Sequence, residues 1–219
     1  MKHTFFIKDW LNSFLSLLFP HCCVVCGRPL AKGEECLCIM CNINLPRTNY
    51  HLWKDNPVER LFWGQIPLER ATSFFFYRKG SDFRQILHQL KYGGKKEVGI
   101  IMGRYMAAEL SDSGFFEGVD VIIPIPLHKK KQQIRGYNQS ECIARGIAAV
   151  TGITVCVESV VRRKNTETQT RKSVFERWEN VDGIFELNHA DSLTGKHILI
   201  VDDVLTTGAT TIACASRLA

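Results

Sequence analysis

The segment Ile198-Leu199-Ile200-Val201-Asp202-Asp203-Val204-Leu205-Thr206-Thr207-Gly208-Ala209-Thr210-Thr211 sets two acids and four hydroxyls around one glycine, directly after an apolar run. If that run is a strand and a helix starts near Thr210, the loop between them lies at the carboxyl end of a sheet, where open α/β sheets bind ligands. The first turn of a helix carries amide N–H groups without internal partners and the positive end of the dipole. Backbone amides and threonine hydroxyls from Thr206 to Thr210, Ala209 included, can therefore cradle a phosphate. Gly208 lets the backbone come close. Asp202 and Asp203 would repel that phosphate, so they suit something else. Carboxylates beside it accept hydrogen bonds from neutral hydroxyls such as a ribose diol, or hold Mg²⁺ through its waters. Phosphate and diol together describe a ribose 5-phosphate. Helix capping is the plainer alternative, but a cap needs only one such residue.

A second constellation stands near the amino end. Cys23/Cys26 and Cys38/Cys41 form two Cys-x-x-Cys turns separated by eleven residues. Two such turns can present four thiolates tetrahedrally to zinc at about 2.3 Å, and four protein ligands leave no open position, so the metal would be structural. A module of this size cannot stabilise itself by burial, so the metal would supply most of its folding free energy. Cys22 and Cys36 remain possible exchange partners, since Cys36-x-Cys38 also brings sulfurs close. A thioredoxin-like redox pair lacks its βαβ context here. Thiolate sites persist where thiols stay reduced, which points to the cytoplasm.

These groups need elements to hold them. Ala71–Tyr77 reads as a short strand; Ser81 caps a helix over Ile86, Leu87 and Leu90 that stops at Gly93-Gly94; a further helix runs from about Lys95 to Leu110. Val119–Ile125 is β-branched and apolar on both faces, as in a buried strand of a parallel sheet. A helix from about Asn138 to Val150 and strands over Thr154–Val161 and Lys196–Val201 complete an alternating α/β pattern. The domain reading is an amphipathic helix over 1–19, a zinc-ribbon-like module of four cysteine ligands over 20–46, a connecting segment over 47–70, and an α/β domain over 71–219.

Composition narrows the class. With 219 residues, 45% hydrophobic and 23% charged, the chain is too apolar for a disordered tail and too short for more than two ordinary domains. No uninterrupted apolar run is long enough to span a bilayer. Residues 4–19 superficially resemble a secretory signal, but Lys8, Asp9 and Asn12 interrupt them and no small-x-small site precedes Pro20. Ile7, Trp10, Leu11, Phe14, Leu15 and Leu18 recur at helical spacing, and the polar face lacks the basic belt of a membrane-surface helix. The formal charge is +6, and the stretches 78–104, 128–145 and 162–177 hold more than that surplus between them. Such patches suit polyanionic partners. The chain lacks Gly-x-Ser-x-Gly, His-Glu-x-x-His and a complete Walker phosphate loop, so no nucleophile elbow, zincin or P-loop site is expected.

The Asp-Asp-x-x-Thr-Thr-Gly segment resembles the phosphoribosyl-pyrophosphate motif of type I phosphoribosyltransferases. Together with the double Cys-x-x-Cys, Leu90-Lys91-Tyr92, Pro124-Ile125-Pro126-Leu127-His128, Arg135-Gly136-Tyr137-Asn138-Gln139 and Gln169-Thr170 followed by Glu176-Arg177, it is similar to the ComF family, whose members are associated with natural DNA uptake. The resemblance covers nearly the whole chain. It implies an α/β fold with a parallel sheet of the type I phosphoribosyltransferase kind, behind a small N-terminal zinc module. It further implies that Asp202 and Asp203 hold the ribose hydroxyls and that Thr206, Thr207, Gly208, Ala209 and Thr210 hold the 5-phosphate. Lys129, Lys130, Lys131 and Arg135 would lie near the pyrophosphate. Residues from Arg163 to Arg177 resemble the loop that covers the site, which would keep water from a reactive sugar cation. The family's last strand would fall beyond Ala219.

Two function classes follow. One is an Mg²⁺-dependent transferase that passes phosphoribose from phosphoribosyl pyrophosphate to an acceptor the sequence does not name. Pyrophosphate leaves as positive charge builds on the ribose, so Mg²⁺ and basic side chains carry the catalysis. The other is a non-enzymatic adaptor whose zinc module and basic patches hold single-stranded DNA or competence and recombination proteins. Its DNA binding would fall steeply with salt and survive Asp203→Asn.

Overall fold

The structure is a computed structural model that describes residues 20–163, 183–188 and 190–219. The expected helix over 1–19 and nearly all of the expected covering loop lie outside the described residues. The chain divides into two compact units, one drawn from Met1–Pro46 and Tyr77–Ile86, the other from Arg47–Phe76 and Leu87–Ala219.

In the first unit, Cys23-Val24-Val25-Cys26 turns sharply: Gly27 adopts φ 74° and its N–H donates to the Cys23 carbonyl at 2.9 Å. The chain then returns, with Cys22 bridging Pro29. Glu34 organises the return by accepting from Ala31 N–H at 2.7 Å and Ile39 N–H at 2.6 Å. Helix α1, Ile39–Ile43, then carries Cys41.

The second unit is built on a three-stranded parallel sheet of β1 Val121–Pro124, β2 Thr154–Val155 and β5 Ile198–Val201, in the order β2-β1-β5. Strand β1 is buried along its whole length, as its two-sided apolar sequence requires. Val121, Ile123 and Ile125 pack with Ile198, Ile200, Ala213 and Cys214 on one face. Ile122 packs with Leu199, Val201, Ala107, Ala144 and Ile147 on the other. That second face is covered by α4, Lys96–Ser111, and α6, Gln139–Thr151. The two helices approach so closely that a Cβ on Gly103 would collide with the Ile143 carbonyl and one on Gly146 with that of Ile100. Asn138 caps α6 through its side chain and Gly152 ends it at φ 75°.

The remaining helices are α2 Pro57–Arg60, α3 Arg84–Tyr92, α5 Lys129–Arg135 and α7 Ala209–Ala215. Two strands, β3 Val160–Arg162 and β4 Phe185–Leu187, pair antiparallel. Residues 47–70 are part of this unit: Val58 and Phe62 pack against Ile212 of α7. Asn56 closes a capping box on α2 with Glu59.

Two sequence expectations change. Ala71–Tyr77 is not a strand beyond a single bridge of Phe75 to Arg47, because its ladder groups are taken. Ala71 O accepts from Asn56, Ala71 N–H donates to Glu59, and Ser73 O accepts from the Thr48 hydroxyl. Thr154–Val161 is two strands, not one. Cys156 and Ser159 contact each other side to side at 2.7 Å across the bend, and Asn188 binds the Ser159 and Glu158 carbonyls. The bend sends β3 out of the parallel sheet to β4. In addition, Lys129–Arg135, to which the sequence reading assigned no element, forms a helix capped by His128 at one end and Gly136, φ 78°, at the other.

Candidate functional site

The strand ends supply the platform. Strand β5 delivers Asp202 and Asp203 at its carboxyl end, and the backbone N–H of Ile125 donates to Val201 O at 2.9 Å, which fixes the end of β1 beside them. Asn138 ties this end to α6: its amide donates to Ile125 O at 3.0 Å while its carbonyl oxygen accepts from Ser140 N–H at 3.1 Å. Ser140 in turn donates its hydroxyl to Asp202 Oδ1 at 3.1 Å, and that same oxygen accepts from Asp203 N–H at 2.8 Å. Burial, with the Asp203 carboxylate beside it, pushes the Asp202 carboxyl up to about 6.

Asp203 has a cationic partner, Lys91 of α3, at 3.1 Å. Lys91 is placed by its neighbour: Leu90 is buried and its carbonyl accepts from the Tyr137 hydroxyl at 2.7 Å. Tyr92, the third residue of that tripeptide, is exposed, and the Arg135 guanidinium lies over its ring at 5.6 Å. Arg135 also donates to Gln139 at 2.7 Å, while Glu141 pairs with Arg145. Lys131 is pushed below the ordinary ammonium range by burial and by Arg162, Arg135 and Lys91. Lys91, Arg135 and Arg162 thus each lie close enough to act on Lys131, and Asp202 acts electrostatically on Arg162. Lys129 and Lys130 are exposed on the first turn of α5.

The Thr206–Thr210 loop follows Asp203 within the same unit. Gly208 takes φ 75°, which a side chain would strain, and a Cβ there would meet the Phe62 ring at 3.0 Å. It serves as N-cap of α7 without a side-chain hydrogen bond, so neither aspartate caps that helix. Among the described residues, the N–H groups of Thr206, Thr207 and Gly208 have no protein acceptor. His128 caps α5, and His197 contacts Glu69 at 3.1 Å.

Sequence reasoning singled out the acids, the hydroxyl loop, Lys129, Lys130, Lys131 and Arg135. It passed over Lys91, Ser140 and Arg162 as site residues, although Leu90-Lys91-Tyr92 and the Arg135–Gln139 motif flank the first two.

In the other unit, the sulfurs of Cys23, Cys26, Cys38 and Cys41 all lie within 4.8 Å of one another and could hold a metal ion. Sγ of Cys26 and Cys38 are 3.7 Å apart, close to the edge of about 3.8 Å that a tetrahedron with Zn–S bonds of about 2.3 Å requires. The donor set fits structural zinc. Arg28 hydrogen bonds hold the Cys26 thiol down to about 6, which favours the thiolate. Cys41, among its neighbouring sulfurs, is pushed the other way, first by burial. Cys22 and Cys36 stand outside this cluster: Cys22 is exposed, and burial raises Cys36 to about 12.

Fold and site define an α/β protein with a parallel sheet and an N-terminal four-cysteine cluster that could bind zinc. Its relatives are named for DNA use and competence. The chain is 29% identical over 217 residues to DNA utilization protein YhgH of Shigella flexneri, with 92% of each chain covered. It is 26% identical over 203 residues to competence protein ComFC of Bacillus subtilis, covering 91% of this chain and 72% of that one. A shorter match, 34% over 92 residues, joins it to competence protein F of Haemophilus influenzae, covering 42% and 40%. The resemblance to the ComF family is therefore borne out along most of the chain. The chain matches no protein-family model and no solved structure. Among the described residues, no helix is long and apolar enough to cross a membrane.

Proposed function

We propose that this chain is a ComF-type phosphoribosyltransferase that binds 5-phosphoribosyl 1-pyrophosphate with Mg²⁺ and transfers phosphoribose to an acceptor in a process linked to DNA uptake. One observation carries the reading: at the carboxyl end of β5 an acid pair, bonded to Ser140 and ion-paired to Lys91, leads directly into a hydroxyl-rich loop, and Lys91 is one of several cations that act on Lys131. The loop from Thr206 to Thr210 suits the 5-phosphate, since among the described residues the N–H groups of Thr206, Thr207 and Gly208 have no protein acceptor. Asp202 and Asp203 suit the two ribose hydroxyls, and their carboxylates are also the groups that would hold Mg²⁺ through its waters. When bound, that ion supplies neutralisation of the departing pyrophosphate.

The protein's own cations supply the rest. As the bond at the anomeric carbon breaks, negative charge grows on pyrophosphate, and Lys131, Arg135 and Arg162 offer fixed positive charge in partly buried surroundings. Exposed Lys129 and Lys130 add a longer-range attraction for the polyanion. The four-cysteine module holds a structural zinc in this reading and takes no part in the transfer. The names of the relatives support the link to DNA uptake, and thiolate ligands suit a reducing, cytoplasmic setting.

Calorimetric titration with phosphoribosyl pyrophosphate tests the reading. It predicts saturable binding that requires Mg²⁺ and that Asp203→Asn weakens about tenfold or more, as expected for loss of a charge-assisted contact. No heat at millimolar ligand with Mg²⁺ present would refute it.

A further inference from the structure

The ion pair between Lys91 and Asp203 raises a question that the proposed function must answer. Asp203 Oδ1 is occupied by an ammonium at 3.1 Å, and the two side chains are only 21% and 13% exposed. A ribose hydroxyl that donates to Asp203 must compete with that charge. Lys91 sits beside further positive groups, since it acts on Lys131 together with Arg162 and Arg135. A carboxylate with one negative charge is a modest counter-ion for such a gathering. A pyrophosphate, with several charges and more acceptor oxygens, is a stronger one. Lysine is suited to moving between the two, because its ammonium is a point charge with three rotatable donors on a four-carbon stem. The backbone that carries it need not move: Leu90 is anchored by burial and by the Tyr137 hydroxyl.

We propose that Lys91 exchanges partners, pairing with Asp203 before ligand arrives and with the pyrophosphate of bound phosphoribosyl pyrophosphate afterwards, so that anion binding frees Asp203 for the ribose hydroxyls. This deepens the proposed function and rests on it. The exchange orders the two halves of the ligand. The anionic half recruits Lys91 first, and only then does the acid pair meet the sugar. A ribose 5-phosphate without pyrophosphate leaves the Lys91–Asp203 pair intact and binds poorly. A purely structural bridge from α3 to the loop would show no such dependence.

The two roles separate by the sign of one effect and by its dependence on a second residue. Inorganic pyrophosphate is titrated without added Mg²⁺, so that any role of Asp203 toward the ion does not enter, into the full chain by calorimetry, for wild type, Lys91→Met, Lys91→Arg, Asp203→Asn and the Lys91→Met/Asp203→Asn double variant. Partner exchange predicts that Asp203→Asn tightens pyrophosphate by about threefold, because Lys91 no longer has to leave a carboxylate. The gain shrinks to nothing in the Lys91→Met background. Lys91→Met alone weakens pyrophosphate about tenfold, and Lys91→Arg keeps most of the affinity, which also shows that the fold survives. Unchanged pyrophosphate affinity in Lys91→Met, or an equal gain from Asp203→Asn with and without Lys91, would overturn the inference. A wild type that binds pyrophosphate in this pattern but not phosphoribosyl pyrophosphate would sink the proposed function instead.

Discussion

Asp202→Asn separates the stability of the acid pair from its use. Asp202 has a folded-state value of about 6 against an ordinary 3.8, raised first by burial and then by Asp203. A carboxyl whose proton is held more tightly in the folded state costs stability once the pH exceeds its folded value, because the buried charge is then carried only at the fold's expense. Between about pH 4 and pH 6 the native state binds more protons than the unfolded one, so this group makes stability fall as pH rises. Above that window its full cost is about 3 kcal/mol. Asparagine removes the charge and keeps the contacts, since one oxygen, Oδ1, accepts both from Ser140 and from the Asp203 N–H. Asp202→Asn therefore raises the melting temperature at pH 8 by about 6–12 °C for a chain of this size, and the gain vanishes towards pH 4. Differential scanning fluorimetry of both proteins across that range, without ligand, measures it. A destabilised variant at pH 8, or a gain that ignores pH, would refute the electrostatic account of this site.

Two further predictions follow from packing and from the cysteine cluster. Removing metal with a chelator, or Cys41→Ser, unfolds the amino-terminal unit, and elemental analysis of the untreated protein finds a single zinc per chain; full retention of structure after metal loss would contradict the site. Gly146→Ala forces α4 and α6 apart, because a Cβ there collides with the Ile100 carbonyl; it lowers stability in urea by about 1–3 kcal/mol, and an unchanged midpoint would show that the helices have room to shift.

The parts of this fold that were legible in sequence are those where local chemistry and tertiary demand agree. Val121–Pro124 is β-branched and apolar on both sides, and the structure buries both sides. Asn138 and Gly152 mark the ends of α6 by capping and by positive φ. The four clustered cysteines were readable because a turn of fixed spacing brings its own ends together. Ala71–Tyr77 looked like a strand, but its backbone groups go to Asn56, Glu59 and Thr48, partners that are distant in sequence and carry no periodic signal. The break at Cys156–Ser159 was hidden for the same reason, since Asn188 closes it from the other side of the ribbon. At the candidate site, the acids and threonines were visible because they are contiguous. Of the cations, Lys131 and Arg135 were named through the family resemblance, but Lys91 and Arg162 were not: they come from different elements, and only packing sets Lys91 beside Asp203 and Arg162 within reach of Asp202.

A crystal structure of the chain grown with Mg²⁺ and phosphoribosyl pyrophosphate tests the central claim most directly. The account predicts the 5-phosphate against the amides of Thr206 to Thr210, the ribose hydroxyls on Asp202 and Asp203, and Lys91 turned from Asp203 to the pyrophosphate. Ligand seated elsewhere, or crystals at saturating ligand with this loop bare and the Lys91–Asp203 pair unbroken, would contradict it.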